Sequence, residues 1–139
     1  MTTTSSWTKP QPGQIIRYVY LWRWEHEGGR EDGRKIRPCL VVATYEHRGF
    51  LRVITAPLTT RDYTPENSIV IPQPVIDKLR LDPRARIIWN DLNEFTWVGP
   101  DVRAGTDGSP LIGHLPEKLW RLVINKIIEH RVPPTRRSK

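Results

Sequence analysis

Residues 35–43 read Lys-Ile-Arg-Pro-Cys-Leu-Val-Val-Ala, a basic stretch that turns at a proline into a continuous apolar run. Such a run is too short for a helix and suits a fully buried strand, whose pleat accommodates β-branched side chains. Pro38 fits the first residue of that strand, where its nitrogen owes no hydrogen bond to a ladder. A residue before proline is driven out of the α region, so Arg37 is expected to stand extended, a fixed cation at the rim of a sheet. An ordinary solvated charge flanking a strand would share this local sequence. A second apolar run, 51–58, ends in Thr59-Thr60-Arg61. Two adjacent strands would set Arg37 beside the Thr59 hydroxyl.

The rest of the chain reads as further strands. Alternation of Ile15, Arg17, Val19 and Leu21 against Ile16, Tyr18, Tyr20 and Trp22 predicts a strand over 15–24 with both faces covered, as in a barrel or a dimer interface. Residues 39–45, 49–57 and 67–71 follow as strands, with 46–49 and 61–66 as polar turns; strands so short and closely spaced point to a small barrel. Pro72 and Pro74 interrupt them, and Val75, Ile76 and Leu79 predict a short helix near 75–80 that Asp82-Pro83 ends. A strand resumes over 86–97. After a Gly-rich loop at 104–110, Pro116 opens a C-terminal helix near 116–129, with Leu119, Leu122, Val123 and Ile127 as its core face and Trp120, Ile124 and Ile128 widening it. Residues 1–11 read as a flexible leader and 131–139 as a disordered basic tail, leaving 12–130 as a single domain.

Twenty-two Lys and Arg against fifteen Asp and Glu give a net charge of +7, which favours a polyanionic partner. The single cysteine, Cys39, excludes an internal disulfide and reads as a small buried hydrophobe, in keeping with a reducing cytoplasm. No apolar stretch approaches a membrane helix, and the N-terminus lacks a signal pattern, so no membrane partner is expected. The four histidines lie apart with no Cys pair to help them, and no glycine-rich phosphate fingerprint is present; no metal and no cofactor are expected. Six Trp on a basic surface could stack bases, although Trp89 and Trp120 sit in apolar patterns that read as core.

Segment 25–36 is longer than a tight hairpin needs, with Gly28-Gly29 and Asp32-Gly33 as turn signals. It carries His26, Glu27, Arg30, Arg34 and Lys35, and loops of this length inside a domain are disproportionately functional. His26 could exchange a proton near neutral pH, or it could be a solvated loop histidine. The expectation for 25–35 is a mobile flap over a binding groove.

Pro12-Gly13-Gln14-Ile15-Ile16, then a long polar loop, then Arg37-Pro38-x-Leu40-Val41-Val42 and Ala56-Pro57-Leu58-Thr59-Thr60, resembles in order and spacing the PemK/MazF toxins of bacterial toxin–antitoxin systems. Those proteins carry Gly-Asp/Glu-Ile-Val, Arg-Pro-x-Leu-Val-Val and Pro-Ile/Val-Thr-Ser at the corresponding places. Gly113-His114-Leu115-Pro116 before a helical pattern is similar too. The stretch from Asn90 through Phe95-Thr96-Trp97 to Asp101-Val102-Arg103 resembles a PemK-like subgroup with an Asn-x-Phe-Thr-Trp-Pro-Gly-x-Asp-Leu-Arg signature. Where many family members place Gln, Arg and Asp, this chain has Asp91, Asn93 and Thr96, without the second cation.

The resemblance implies a mainly β fold, a small SH3-like β-barrel with a C-terminal helix. It further implies the toxin of a type II system, a metal-independent endoribonuclease that cleaves single-stranded RNA through attack by the 2′-hydroxyl. By match, Arg37 and Thr59 would be catalytic, with Asp91 the first candidate for the base, ahead of Glu27 and His26. Candidate RNA contacts are His26, Glu27, Arg30, Arg34, Lys35, Thr60, Arg61, Asn93 and Trp97. A homodimer and a cognate antitoxin would be its protein partners. The alternative, left open by Asn93, is a non-catalytic toxin or binding module of the same fold, like the gyrase poisons, or an inactive relative.

Overall fold

The computed structural model describes residues 7–137 apart from 31, 32, 34 and 61–66. Among these the fold is mainly β, eight strands in a largely antiparallel sheet, with a C-terminal helix. The strands are β1 (Gln14–Val19), β2 (Ile36–His47), β3 (Phe50–Thr59), β4 (Ser68–Val70), β5 (Arg86–Ile88), β6 (Leu92–Thr96), β7 (Leu111–His114) and β8 (Pro134–Arg136). Three helices accompany them: α1 (Arg23–Glu27), α2 (Gln73–Leu79) and α3 (Glu117–His130).

The apolar runs first singled out form the long β2–β3 hairpin at the centre. β2 pairs with β1 on its other side, and β1 with β7. Along its length β3 changes partner: Arg52 to Thr55 pair with β6, while Leu58 and Thr59 pair with β5. The order is β4-β5-β3-β2-β1-β7, with β6 branching from β3 and β8 added to β6. Its end strands β4 and β7 do not pair, so the sheet remains open where a closed barrel was expected.

Strand alternation divides the interior in two. Ile15, Leu40, Val42, Ala56, Leu58, Ile87 and Trp89 face a cluster completed by Ile76 of α2 and by Leu119 and Val123 of α3. The alternate residues Ile16, Tyr18, Cys39, Val41, Val53, Ile88 and Phe95 build a second cluster with Tyr20 and Trp22. The two-sided apolar character of the first strand is therefore satisfied within one chain. Burial pushes the Cys39 thiol well above its ordinary range, which suits a hydrophobe rather than a nucleophile.

Several expectations are corrected. The first strand stops at Val19, and helix α1 begins at Arg23, inside what was read as strand and loop; the Trp22 N–H donates to Glu25 Oε1 at 3.2 Å and ties the turn. The single strand expected over 86–97 is two, β5 and β6, which separate because they follow different parts of β3. β7 occupies 111–114, for which no element was expected. On α3, Leu122 and Ile128 are exposed, so the core face is narrower than its apolar content suggested. The tail read as disordered instead adds β8 in parallel to β6 and buries Arg137.

Candidate functional site

Arg37 lies near the start of β2, opposite Tyr18 of β1. It is 8% exposed, and its guanidinium sits over the Trp22 ring, 5.2 Å from the centroid. Thr59, the last residue of β3, is 3% exposed. Cys39 pairs with Pro57, and continuing that antiparallel register by two residues sets Arg37 opposite Thr59. Both line a rim cavity of about 190 Å³ together with Lys35, Ile36, Pro38, Leu58, Thr60, Leu81, Asp82 and Ala85. The juxtaposition expected from two adjacent strands is thus present, and the arginine is a held group rather than a solvated one.

Two more of the expected contacts, Lys35 and Thr60, are exposed and line this cavity. Arg34 and Arg61 lie outside the described residues. His26 and Glu27 are exposed on α1 and do not line the cavity. Arg30 is also exposed, and its Nε lies 3.7 Å from Glu25 Oε2, beneath which Glu25 is buried at 2% exposure. The segment expected to be a mobile flap therefore begins as a helix anchored by a buried carboxylate, and a Cβ at Gly33 would collide with the Tyr20 carbonyl.

Asp91 is not among the cavity residues. Its Oδ1 accepts from Tyr20 Oη at 2.6 Å and its Oδ2 from the Arg23 N–H at 3.1 Å, so it fastens the turn before β6 to the end of the first strand. Burial raises its pKa, against the pull of those two donors. Asn93 is corrected outright as an RNA contact. It is 0% exposed, its Nδ2 donates to the Leu21 and Leu92 carbonyls at 2.7 and 3.2 Å, and its Oδ1 accepts from the Leu21 N–H at 3.0 Å. An amide so committed bridges two backbones and has nothing left for a ligand. Trp97 is half-buried and lines a different cavity, of about 320 Å³, with Trp7, Lys9 and Asp107.

The sequence reading missed three residues around Arg37 and Thr59. Trp22 was taken only as a strand residue, yet it carries the Arg37 guanidinium. Asp82 was read as a helix stop, yet it lines the cavity; Arg84 binds its carboxylate at 3.1 Å and lowers its pKa, so it stays ionised and is a weak base. Arg86 was the start of a strand, and the ladder pairs it directly with Thr59. Cross-strand register, which no local pattern displays, was the missing information.

Among the described residues no group of three or more His, Cys, Asp or Glu is placed to hold a metal ion. No helix among them is long and apolar enough to cross a membrane. An arginine fork beside a hydroxyl donor is suited to an oxyanion: the planar guanidinium can bridge two oxygens of a phosphate while the hydroxyl donates to a third. No protein-family model, no curated protein and no solved structure matches this chain.

Proposed function

We propose that the chain is the toxin of a type II toxin–antitoxin system, an endoribonuclease of the PemK/MazF kind that cleaves single-stranded RNA without a metal. The observation that carries this reading is the placement of Arg37 and Thr59 on one rim cavity, in a chain of net charge +7. RNA brings its own nucleophile. The 2′-oxygen forms a bond to the adjacent phosphorus, the bond from phosphorus to the 5′-oxygen breaks, one proton leaves the 2′-hydroxyl and one reaches the departing oxygen. Arg37 bridges phosphate oxygens and offsets the added phosphorane charge, and Thr59 donates to a non-bridging oxygen. Asp91, Glu27 and His26, in that order, are the candidates for the base; none of the three lines the cavity in this structure.

The same proposal takes the sheet as a small SH3-like barrel in character, the working form as a homodimer in the cytoplasm, and the cationic segment around Arg30 and Lys35 as shared between RNA and an acidic antitoxin. The central hairpin with its branching β3 supports the first of these.

The test is incubation of purified protein with single-stranded RNA in EDTA. Products ending in 2′,3′-cyclic phosphate and 5′-hydroxyl support the nuclease, and intact RNA sinks it. A second reading, a non-catalytic binding module, is favoured by Asn93, which stands buried and saturated where a second cation would serve catalysis. Intact RNA together with poisoned gyrase would select it.

A further inference from the structure

We propose that the cavity lined by Trp7 and Trp97 is a nucleobase subsite, in which a guanine of a single strand stacks on indole, donates its N1–H and 2-amino group to Asp107 and brings its phosphate to Lys9. That the strand is substrate RNA rests on the function proposed above; that the cavity takes a base rests on its own walls.

The cavity measures about 320 Å³ and shares no lining residue with the one at Arg37 and Thr59. Its walls come from segment 7–10, from β1, from the end of β6 and from loop 107–111. They are held in place. Trp7 donates from Nε1 to the Gly108 carbonyl at 3.1 Å, and the Trp97 backbone N–H donates to the Leu51 carbonyl at 2.8 Å. Both indoles also pack against the second core cluster. The loop is closed by the Gly105 N–H, which donates to the Ser109 carbonyl at 2.8 Å, and Arg17 Nη1 donates to the same carbonyl at 3.1 Å. Walls fixed in this way cost a ligand little ordering on binding.

The chemistry of the walls selects the guest. Two half-buried indoles offer π surface, and among the described residues neither is in ring contact with another aromatic side chain. Asp107 Oδ1 accepts from the Ser109 N–H at 3.0 Å, which orients the carboxylate, while Oδ2 takes no hydrogen bond among the described residues. An ionised carboxylate only accepts, and guanine presents an imino and an amino N–H side by side to such a pair of oxygens. Lys9 is exposed and, among the described residues, in no ion pair. A cationic side chain also suits indole beside a carboxylate, but Lys9 on the same cavity and a net charge of +7 oppose it. A nucleotide answers all three groups with a flat ring, a donor edge and an anionic phosphate.

The test is fluorescence anisotropy with two short labelled 2′-deoxy strands, one fully abasic and one abasic except for a central guanine; neither carries the 2′-hydroxyl nucleophile. The guanine strand is expected to bind about 5- to 150-fold tighter, the span of one base–aromatic stack. Trp7→Leu should remove most of that gain and leave the affinity for the abasic strand unchanged. Asp107→Asn, whose amide oxygen still accepts from the Ser109 N–H, should weaken guanine binding about tenfold. Lys9→Gln should lower the salt slope of the guanine strand by about 0.7, the share of one phosphate contact on a single strand. Equal binding of the two strands by the wild type overturns the subsite, as does the full gain in Trp7→Leu or Asp107→Asn, or an unchanged slope in Lys9→Gln. If Trp7→Leu does not fold, Asp107→Asn decides. Equal binding of the strands together with Trp7-dependent binding of N-acetylarginine amide would give the cavity to a cationic side chain and overturn the subsite. Guanine-dependent binding by a protein that leaves RNA intact in EDTA would overturn the nuclease reading and keep the subsite. RNA cleavage with equal binding of the two strands would overturn the subsite alone.

Discussion

The Arg37 guanidinium lies 5.2 Å from the centroid of the Trp22 ring, and Trp22 itself is held edge-on by Tyr20 with centroids 5.2 Å apart. A cation over an indole face is worth about 0.5–2 kcal/mol, more as water is excluded. Arg37 is thus aimed by an aromatic stack at the end of the first strand. Trp22→Phe keeps the apolar body and weakens the attraction. Cleavage by this variant should fall several-fold, chiefly in kcat, with little change in melting temperature; unaltered kcat would show that the indole does not aim the arginine.

On the proposed nuclease reading, Arg37→Ala removes the charge that would offset the phosphorane. The loss of one such donor costs roughly 100- to 1000-fold in kcat, about 2.7–4 kcal/mol. Thr59→Val should act in the same direction and less. Turnover of the two variants and of the double, followed on a defined RNA, should show non-additive losses, as the proposed action of both on one phosphate requires. Full activity in folded Arg37→Ala would remove it from the site.

Arg137 closes the C-terminal strand onto the sheet. Its side chain is 1% exposed; Nη2 donates to Asp101 Oδ2, and Nη1 donates to Tyr18 Oη at 2.9 Å and to the Val19 carbonyl at 3.0 Å. Removing one member of a buried pair costs about 3–5 kcal/mol, because the other charge is left without its partner. Arg137→Ala is therefore expected to lower the melting temperature by roughly 10 °C or more. Adding Asp101→Leu to Arg137→Met should recover much of the loss, and calorimetry of the single and double variants checks both statements.

Asp91 gives stability a pH dependence of definite sign. Its folded pKa lies above its ordinary value of 3.8, with burial the main cause. Between the two values the native state binds more protons than the unfolded one, so this carboxyl's contribution is full below the unfolded value and is lost as pH rises through the folded value. Urea unfolding across pH 3 to 7 should show wild-type stability declining relative to Asp91→Asn over that window. A parallel pair of curves would mean that Asp91 is not held in a desolvated site.

Local pattern determined much of this protein. The Val-rich run after Pro38 had to be a buried strand, the alternation that begins at Ile15 had to cover both faces although it predicted a strand reaching 24 where β1 ends at Val19, and Leu119 and Val123 had to bring the last helix onto the core, because these follow from spacing along a few neighbouring residues. The pre-proline position of Arg37 and its meeting with Thr59 followed from two such strands side by side. Tertiary structure alone decided the rest. Asn93 is a sealed amide rather than a ligand contact because Leu21, far away in sequence, presents both backbone groups to it. The basic C-terminus became β8 because Asp101, Tyr18 and the edge of β6 together receive Arg137, a set of partners that no stretch of Pro, Thr and Arg announces. Arg86 came to stand beside Thr59 through the register of two strands joined by a long connection. Register is settled by which faces bury together across the whole sheet, and a linear sequence shows only its own face.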